Sequence, residues 1–301
     1  MSDRSTDEIV IGVPLVRRLI DAQFPQWAHL PIKPVKFGGW DNRTFHLGPE
    51  MTVRLPSSPA YQLQVEKEQR WLPKLAPQLP LPIPVPLAKD EPTAEYPLPW
   101  SIYRWIEGDT ALNSRIDDMV QFATDLAAFL NALQNVDAAD GPGWGAHNFH
   151  RGGPVSHYDD QTRSALEALK GRIETSTARE VWETALASEW QRPPVWFHGD
   201  IATGNLLVRD GSLSAVIDFG TSGTGDPACD LAIAWVSLAG DAREAFRAAL
   251  PLDKGTWARG QAWTLWKALI VAAEMPGTDK REAERSRQVI DEVLADHRAF
   301  G

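Results

Sequence analysis

Residues 195–218 alternate short apolar runs with polar side chains, and this stretch constrains the fold more than any other. The apolar runs are Val195–Phe197, Asn205–Val208 and Ala215–Ile217. Runs of this length, separated by turn residues such as Asp210-Gly211, predict short strands. The loops that bound them hold Asp200, Asn205 and Asp218. The stretch therefore predicts a small strand cluster whose loops bring three polar side chains together.

These polar residues suit the transfer of a phosphoryl group. That reaction needs an acceptor for a hydroxyl proton, divalent metal to bridge the phosphates, and positive groups to hold a triphosphate. Asp200 can accept the proton, while Asn205 and Asp218 offer the hard oxygen ligands that Mg²⁺ prefers. The spacing of His198-Gly199-Asp200, Asn205 and Asp218-Phe219-Gly220 also matches the active-site pattern of protein kinases.

The part of the chain before residue 108 combines short extended runs with two helical patterns. Pro14 suits a first helical turn, and an apolar stripe follows it at Leu15, Val16, Leu19 and Ile20. A second helix is predicted over Gln62–Leu75, with Pro73 kinking or stopping it, and an extended segment over Pro77–Pro86. Four further runs predict antiparallel strands, at Lys33–Phe37, Arg43–Leu47, Met51–Leu55 and Leu98–Ile106.

From Asp117 onward the spacing of apolar residues is mostly helical. The predicted helices are Asp117–Asn135, Asp159–Glu174, Ala178–Trp190, Ala228–Leu238, Ala242–Leu250, Lys254–Ala273 and Arg281–Ala299. Together with the strand-rich part before them, they predict an α+β fold of two lobes. The first is a small antiparallel-sheet lobe over residues 1–104, and the second is a larger, mainly helical lobe over residues 105–301.

Composition and charge argue against several other classes of protein. The chain has 30 Lys and Arg against 40 Asp and Glu, and this net charge of -10 disfavours a nucleic-acid partner. The single cysteine, Cys229, excludes an internal disulfide and a zinc site built on thiolates. The first ten residues lack the pattern of a signal peptide, and no stretch approaches the ~20 apolar residues of a membrane span. We therefore predict a cytoplasmic protein with no membrane partner.

The motifs resemble those of the aminoglycoside phosphotransferase family, whose members share the protein-kinase-like fold. The resemblance rests on His198-Gly199-Asp200, Gly204-Asn205-Leu206-Leu207, Ile217-Asp218-Phe219-Gly220 and Gly225-Asp226-Pro227-x-x-Asp230-Leu231-Ala232. It extends to residues 38–45, which occupy the place of the family's nucleotide-covering hairpin. It also includes residues 100–108, which resemble the segment that links the lobes and meets the adenine. The resemblance thus covers most of the chain and implies a protein-kinase-like fold.

The resemblance implies a role for each matching residue. Asp200 is implied to be the catalytic base, and Asn205 and Asp218 are implied to bind Mg²⁺. The implied nucleotide-binding residues are Gly38, Gly39, Arg54, Glu68, Tyr103 and Trp105. Arg54 stands where the family often has a lysine that holds the phosphates, and Glu68 would position it. A guanidinium also binds phosphate, but it is larger and differently shaped.

Three other polar residues of the same segment are assigned structural roles. His198 is interpreted as a brace of the loop over residues 198–205, which the resemblance implies to be catalytic and which is called the catalytic loop below. Asp226 and Asp230 are interpreted as a loop brace and a residue at a helix N-terminus.

The hypothesis that follows is a Mg²⁺-dependent O-phosphotransferase that uses ATP or GTP as donor and a small-molecule hydroxyl as acceptor. The resemblance and the acidic composition favour an aminoglycoside-like, cationic or sugar-like acceptor, which would make the protein an antibiotic-resistance enzyme. A metabolite kinase acting on choline, homoserine or a sugar-like substrate stays open. Arg54 is the only support for an inactive, nucleotide-binding pseudokinase. A protein kinase is disfavoured, because Gly199 replaces the arginine of that motif. The oligomeric state is not predicted.

Overall fold

The computed structural model describes residues 10–36, 38–39, 41–273 and 280–300. Its contacts divide the chain into two compact units, Met1–Pro77 with Pro82–Glu107 and Gln78–Leu81 with Gly108–Gly301. The predicted division after residue 104 assigns Trp105 to the second lobe, whereas the contacts keep it in the first unit. Its backbone N–H donates to the carbonyl of Glu50 at 2.7 Å, which ties it to the sheet of that unit.

An antiparallel sheet forms the centre of the first unit. Its five strands are β1 (Ile32–Pro34), β2 (Asn42–Leu47), β3 (Met51–Pro56), β4 (Pro86–Lys89) and β5 (Ser101–Arg104), in the spatial order β1-β2-β3-β5-β4. Every neighbouring pair is antiparallel. The predicted strands at residues 43–47 and 51–55 are confirmed. The first predicted strand is shorter than expected, and Phe37 at its end lies outside the described residues.

Two predictions for the end of this unit need correction. The strand predicted over residues 98–106 is reduced to β5, and Pro99 explains its late start because proline has no N–H to donate to a ladder. The segment predicted as extended over residues 77–86 instead begins in a 3₁₀ turn, Ala76–Gln78, and leads into β4. This strand was not predicted.

Two helices pack with the sheet residues of this unit. In α1 (Val13–Gln23) the predicted apolar stripe is confirmed, since all four of its residues are buried. They share a core with Phe45, Leu47 and Trp100. Helix α2 (Gln62–Leu75) has the predicted bounds, with Pro73 inside its last turn. The helix ends at Leu75, directly after the proline turn, as the sequence indicated.

The second unit contains two small antiparallel sheets. One pairs β7 (Val195–Phe197) with β10 (Gly223–Gly225), and the other has the order β6 (Asp109–Thr110), β8 (Leu206–Arg209), β9 (Ser212–Val216). The three predicted apolar runs are confirmed as β7, β8 and β9, with bounds shifted by a residue or more in β8 and β9. The short strands β6 and β10 were not predicted, because two or three residues carry no readable periodicity.

Seven helices make up the rest of the described part of this unit. They are α3 (Met119–Gln134), α4 (Asp159–Ala168), α5 (Thr175–Leu186), α6 (Ile233–Val236), α7 (Gly240–Ala249), α8 (Lys254–Ala272) and α9 (Lys280–Phe300). Helix α4 stops well before the predicted residue 174, and Gly171 follows in a left-handed conformation with φ +76°. Such a residue does not continue a helix.

The helix predicted over residues 228–238 is wrong for its first half. Residues Pro227–Ala232 form a 3₁₀ helix, and only α6 continues as α-helix. The cause is polar: Asp226 caps the N–H of Ala228, and the buried carboxylate of Asp230 binds the backbone of another loop. These contacts hold the tighter turn in place.

Helix α8 is the central element of the second unit. It packs against α5, α9 and the 3₁₀ helix at 227–232, and most of its residues are buried. Lys267 is one of its few exposed positions, with a side chain that is 51% exposed. Among the residues that the structure describes, no helix combines the length and the apolar character that a bilayer span requires.

Candidate active site

The loop after β7 is fixed by a buried carboxylate from the 3₁₀ helix. Oδ2 of Asp230 accepts the backbone N–H of His198 at 2.8 Å, and its Oδ1 accepts that of Gly199 at 2.7 Å. Asp230 is fully buried, and burial raises its pKa to about 7 despite these two hydrogen bonds. Asp230 has a structural role, but it holds the loop that carries Asp200 instead of serving as a residue of a helix N-terminus, which Asp226 caps.

His198 also holds the loop in place, from a buried position beneath it. It is fully buried, its Nε2 lies 3.0 Å from the carbonyl of Ile217, and its Nδ1 lies 3.2 Å from the backbone N of Asp200. Since Nδ1 accepts from that N–H, the tautomer protonated at Nε2 satisfies both contacts. Burial lowers its pKa, which keeps the ring neutral. The ring therefore links the two acidic loops, as its interpretation as a brace required.

Gly199 is required by the path of the backbone. Its φ is +88°, and a Cβ at this position would lie 2.5 Å from the carbonyl oxygen of Thr221. The Cδ of Arg151 would lie 3.0 Å from the same Cβ, and its Nε donates to the Gly199 carbonyl at 2.6 Å. No side chain larger than hydrogen fits between these two contacts without displacing the backbone.

The carboxylate of Asp200 is held through both oxygens. Nδ2 of Asn205 donates to its Oδ2 at 3.0 Å and to its backbone carbonyl at 2.9 Å. The Nζ of Lys267 lies 3.1 Å from Oδ1. Burial raises the pKa of Asp200, but the positive charges of Lys267 and Arg151 outweigh it, so the pKa is below its ordinary value. Asp200 is therefore ionised and oriented at neutral pH.

The β8–β9 hairpin brings Asn205 next to the start of the Asp218 loop. Leu206 pairs with Val216, and one step further the N–H of Ile217 donates to the carbonyl of Asn205 at 2.8 Å. Asp218 then adopts a left-handed conformation with φ 67°, which is uncommon for a residue other than glycine. Strained backbone of this kind concentrates at functional sites. Asp200, Asn205 and the Asp218 loop are thus brought into one region of the second unit.

The donor set at this place fits Mg²⁺. The amide nitrogen of Asn205 faces Asp200, so its Oδ1 is the side-chain atom left to coordinate a cation. The carboxylate of Asp218, on the neighbouring loop, is a second oxygen donor of the kind that Mg²⁺ prefers. The described residues include no cluster of three or more His, Cys, Asp or Glu side chains with metal-binding geometry. A site built from one amide and one carboxylate agrees with that result, because Mg²⁺ commonly takes one or two protein ligands and completes its shell with phosphate oxygens and water.

A cavity of about 220 Å³ opens beside Asp200 within the second unit. Its walls come from the catalytic loop, the 3₁₀ helix with α6, α8 and α9. The lining residues are Gly199, Asp200, Ile201, Ala202, Cys229, Ala232, Val236, Trp263, Thr264, Lys267, Ala268, Val271, Glu282, Arg285, Ser286 and Val289. Asp200 therefore faces space that a small molecule can enter.

Three of the predicted nucleotide residues, Arg54, Glu68 and Tyr103, form a largely buried cluster in the first unit. Nη1 of Arg54 lies 3.6 Å from Oε2 of Glu68, and its guanidinium lies 5.4 Å from the ring centre of Tyr103. The hydroxyl of Tyr103 donates to the same Oε2. Tyr103 is buried, and burial with the charge of Glu68 raises its pKa well above the ordinary value. The three side chains thus fix one another, with Tyr103 holding Glu68.

The other predicted nucleotide residues lie on the loop after β1 and at the end of β5. Gly38 and Gly39 are exposed, and the carbonyl of Gly39 accepts from Arg43 at 3.4 Å. Trp40, which follows them, lies outside the described residues. The ring of Trp105 packs edge-on against His46 with centroids 4.5 Å apart. None of these contacts involves Arg54.

Sequence reasoning missed two cationic residues at the site, Lys267 and Arg151. Lys267 comes from α8 and Arg151 from the segment before α4, so neither is close to Asp200 along the chain. Lys267 did leave a signal, because it is a lone charge in the apolar run from Trp263 to Leu269. Arg151 left none.

Solved structures of known enzymes share this fold. An aminoglycoside 2'-phosphotransferase-IIIa solved with GDP matches with a TM-score of 0.68 at 18% identity, covering 93% of this chain and 98% of that one. A streptomycin–ATP complex of APH(2")-IIa matches with a TM-score of 0.60 at 15% identity, covering 95% and 96%. The macrolide 2'-phosphotransferase MphH from Brachybacterium faecium matches with a TM-score of 0.57 at 24% identity, covering 87% and 92%. These matches confirm the predicted protein-kinase-like fold.

The family itself is shown by a sequence model. Among curated proteins, none matches the chain. The model of the phosphotransferase enzyme family, by contrast, matches residues 31–263, which include parts of both units and every predicted site residue. With the fold and these motifs, the match confirms the resemblance: the chain belongs to the phosphotransferase enzyme family.

Proposed function

We propose that this phosphotransferase moves the γ-phosphoryl group of ATP or GTP to a hydroxyl of a small molecule, with Asp200 as catalytic base. The acceptor oxygen forms a bond to the γ-phosphorus while the bond to the β–γ bridging oxygen breaks. Asp200 accepts the hydroxyl proton, and the nucleoside diphosphate leaves. The observation that carries the proposal is the ionised carboxylate of Asp200, which Asn205 and Lys267 orient at the mouth of a cavity.

Asn205 and Asp218 are proposed to hold Mg²⁺. When bound, the ion would neutralise charge on the phosphate oxygens. The hairpin contact between Asn205 and Ile217 supports this pairing, because it fixes the separation of the two loops. Most of the rate acceleration would then come from positioning and electrostatics.

Arg54 is proposed to hold the phosphates from the first unit, with Glu68 and Tyr103 fixing its side chain. Gly38, Gly39 and Trp105 are proposed to contact the nucleotide. The contact between Arg54 and Glu68 argues against an inactive protein, since the guanidinium is held where the family's lysine would be held. The two units are proposed to correspond to the nucleotide-covering lobe and to the lobe that carries the catalytic loop and the acceptor.

The acceptor class is a finer question. The sequence favoured an aminoglycoside-like or otherwise cationic acceptor on the strength of the family and the net charge of -10. Net charge is a property of the whole surface, whereas selectivity depends on the side chains that face the acceptor.

Asp200→Ala tests the proposal, with Asp291→Ala on the exposed face of α9 as the matched control. We expect Asp200→Ala to lower kcat by about 10² to 10⁴-fold, the range typical of a lost general base. Nucleotide affinity, measured by titration calorimetry, should be unchanged in both variants. Wild-type turnover of any accepted hydroxyl compound by Asp200→Ala would refute the role of Asp200.

A further inference from the structure

The cavity beside Asp200 has mostly apolar walls. Ile201 borders it from the catalytic loop, Val236 from the end of α6, and Trp263 and Val271 from α8. Val289 lies on the same face of α9 as Glu282, Arg285 and Ser286, since positions three and four apart on a helix are neighbours. A ligand that enters this cavity therefore exchanges its contacts with water mainly for contacts with apolar side chains. This exchange favours ligands with an apolar face.

The charged side chains among the described lining residues of the cavity balance one another. Asp200 and Glu282 contribute two acidic groups, and Lys267 and Arg285 contribute two basic groups. The acidic group closest to the chemistry is already neutralised, because Nζ of Lys267 lies 3.1 Å from Oδ1 of Asp200. A polycation that binds beside Asp200 would have to displace Lys267 or place its own ammonium groups next to the Lys267 ammonium. Like charges that are this close repel each other. The lining residues that the structure describes thus offer no excess of negative charge to a cationic acceptor.

The size of the cavity limits which part of an acceptor reaches Asp200. Its volume of about 220 Å³ lies below the ~300–1,000 Å³ typical of sites that enclose a drug-sized ligand. One ring or a comparably compact group fits next to the base, and the rest of a larger acceptor stays outside.

We infer that the acceptor presents its hydroxyl to Asp200 on a compact group with an apolar face, and that Lys267 selects against polycationic acceptors. This inference rests on the proposed function and narrows it to a substrate class, which is a hydroxyl compound that is uncharged or carries a single cation. It narrows the cationic or sugar-like acceptor that the resemblance and the composition favoured, by leaving out polycations. Val236 and its apolar neighbours bind the acceptor, and Lys267 disfavours acceptors that carry more than one positive charge.

A panel of acceptors tests the inference directly. The full-length protein is supplied with ATP, GTP and Mg²⁺, and phosphorylated product is measured by mass spectrometry. One arm contains phenyl β-D-glucoside, which is uncharged, and erythromycin, which carries a single amine. The other contains the polycations kanamycin and streptomycin. We expect kcat/KM to be higher throughout the first arm. Transfer to the polycations alone, or to no compound of the first arm, overturns the inference.

A matched pair of variants tests the cavity wall. Val236 is 50% exposed and lines the cavity, whereas Val120 is 41% exposed at the start of α3 and does not. Both tolerate a carboxylate because both face water in part. Val236→Asp should raise KM for the accepted compound ~10-fold by placing a charge against its apolar face, while Val120→Asp should leave KM within about twofold. Equal KM values in the two variants would show that the acceptor does not bind in this cavity.

Lys267→Met tests whether Lys267 selects against polycationic acceptors. Because the same substitution also changes Asp200, the readout is the ratio of kcat/KM for kanamycin to that for phenyl β-D-glucoside, in which an effect on the base cancels. We expect this ratio to rise about tenfold when the repelling ammonium is removed. An unchanged ratio contradicts selection by Lys267.

The outcomes separate this inference from the proposed function. Phosphorylation of polycations by the wild-type protein, abolished in Asp200→Ala, keeps the proposed function and rejects the apolar acceptor. Loss of the proposed function has a different signature, which is an Asp200→Ala variant that phosphorylates its acceptor as fast as the wild-type protein.

Discussion

The Nζ of Lys267 lies 3.1 Å from Oδ1 of Asp200, and the two residues stand 67 positions apart in the chain. The contact ties the middle of α8 to the catalytic loop. It also places a positive charge in the lining of the cavity beside the carboxylate, where it helps to lower the pKa of Asp200.

The first prediction concerns the pH dependence of activity. Lys267 helps to hold the pKa of Asp200 below its ordinary value, so the carboxylate stays ionised to low pH. In Lys267→Met this pKa rises, and the base is lost by protonation at a higher pH. We expect the acid limb of the kcat/KM profile to move to higher pH. Lys254→Met, at the exposed start of the same helix, is the control and should leave the limb in place.

The second prediction concerns nucleotide binding by Arg54. Removing the guanidinium in Arg54→Met should raise the nucleotide KM by about 10- to 100-fold, the range expected for losing a charged hydrogen-bond donor. Arg54→Lys keeps one positive charge next to Glu68 and should recover most of that loss. Thermal unfolding of both variants separates binding from folding, because Arg54→Met also leaves the buried Glu68 carboxylate without its cation. A nucleotide KM that Arg54→Met leaves unchanged would exclude Arg54 from phosphate binding.

The third prediction concerns the backbone at Gly199. An alanine there must adopt φ +88° with its Cβ 2.5 Å from the Thr221 carbonyl. We expect Gly199→Ala to lower the free energy of unfolding by about 2 kcal/mol or more and to abolish turnover, because the loop that carries Asp200 must shift. Gly143→Ala is the matched control, since no described atom lies within 4 Å of its added Cβ. Chemical denaturation and a turnover assay measure both effects. Equal stability of the two variants would show that the loop relaxes freely.

The fourth prediction concerns Asp90, a buried residue of the first unit that takes no part in the proposed chemistry. Its Oδ1 accepts the N–H of Trp100 at 2.7 Å, while its Oδ2 finds no hydrogen-bond partner among the described residues. Burial raises its pKa from 3.8 to about 6. Between these values the folded state keeps a proton that the unfolded chain has released, so this residue makes stability fall as the pH rises.

Asp90→Asn removes that dependence because an amide does not titrate. The stability of the variant relative to the wild type should increase by about 3 kcal/mol at most between about pH 4 and pH 7. Thermal unfolding across this range measures the change. Asp140→Asn, at an exposed position away from Asp90 in the chain, is the control and should follow the wild-type curve. Parallel curves for Asp90→Asn and the wild type would contradict a raised pKa at Asp90.

The sequence by itself determined the elements and motifs that depend on neighbours along the chain. The stripe of α1 and the bounds of α2 followed from helical periodicity, which is a local property. The spacing from Asp200 to Asn205 and Asp218 indicated the catalytic loop and the hairpin after it, because a short hairpin brings its two ends together whatever surrounds it. The family resemblance rested on the same local motifs.

Only the tertiary structure decided which distant residues complete the site. Lys267, Arg151 and Asp230 reach the catalytic loop through packing of α8, the segment before α4 and the 3₁₀ helix, and no spacing rule connects them. The same packing replaced half of a predicted helix by a 3₁₀ turn, since the Asp230 carboxylate is satisfied by the loop backbone. It also formed a cavity whose described lining is mostly apolar and balanced in charge, although the net charge of the chain is -10. The reason is that the polarity of a cavity depends only on the few side chains that line it.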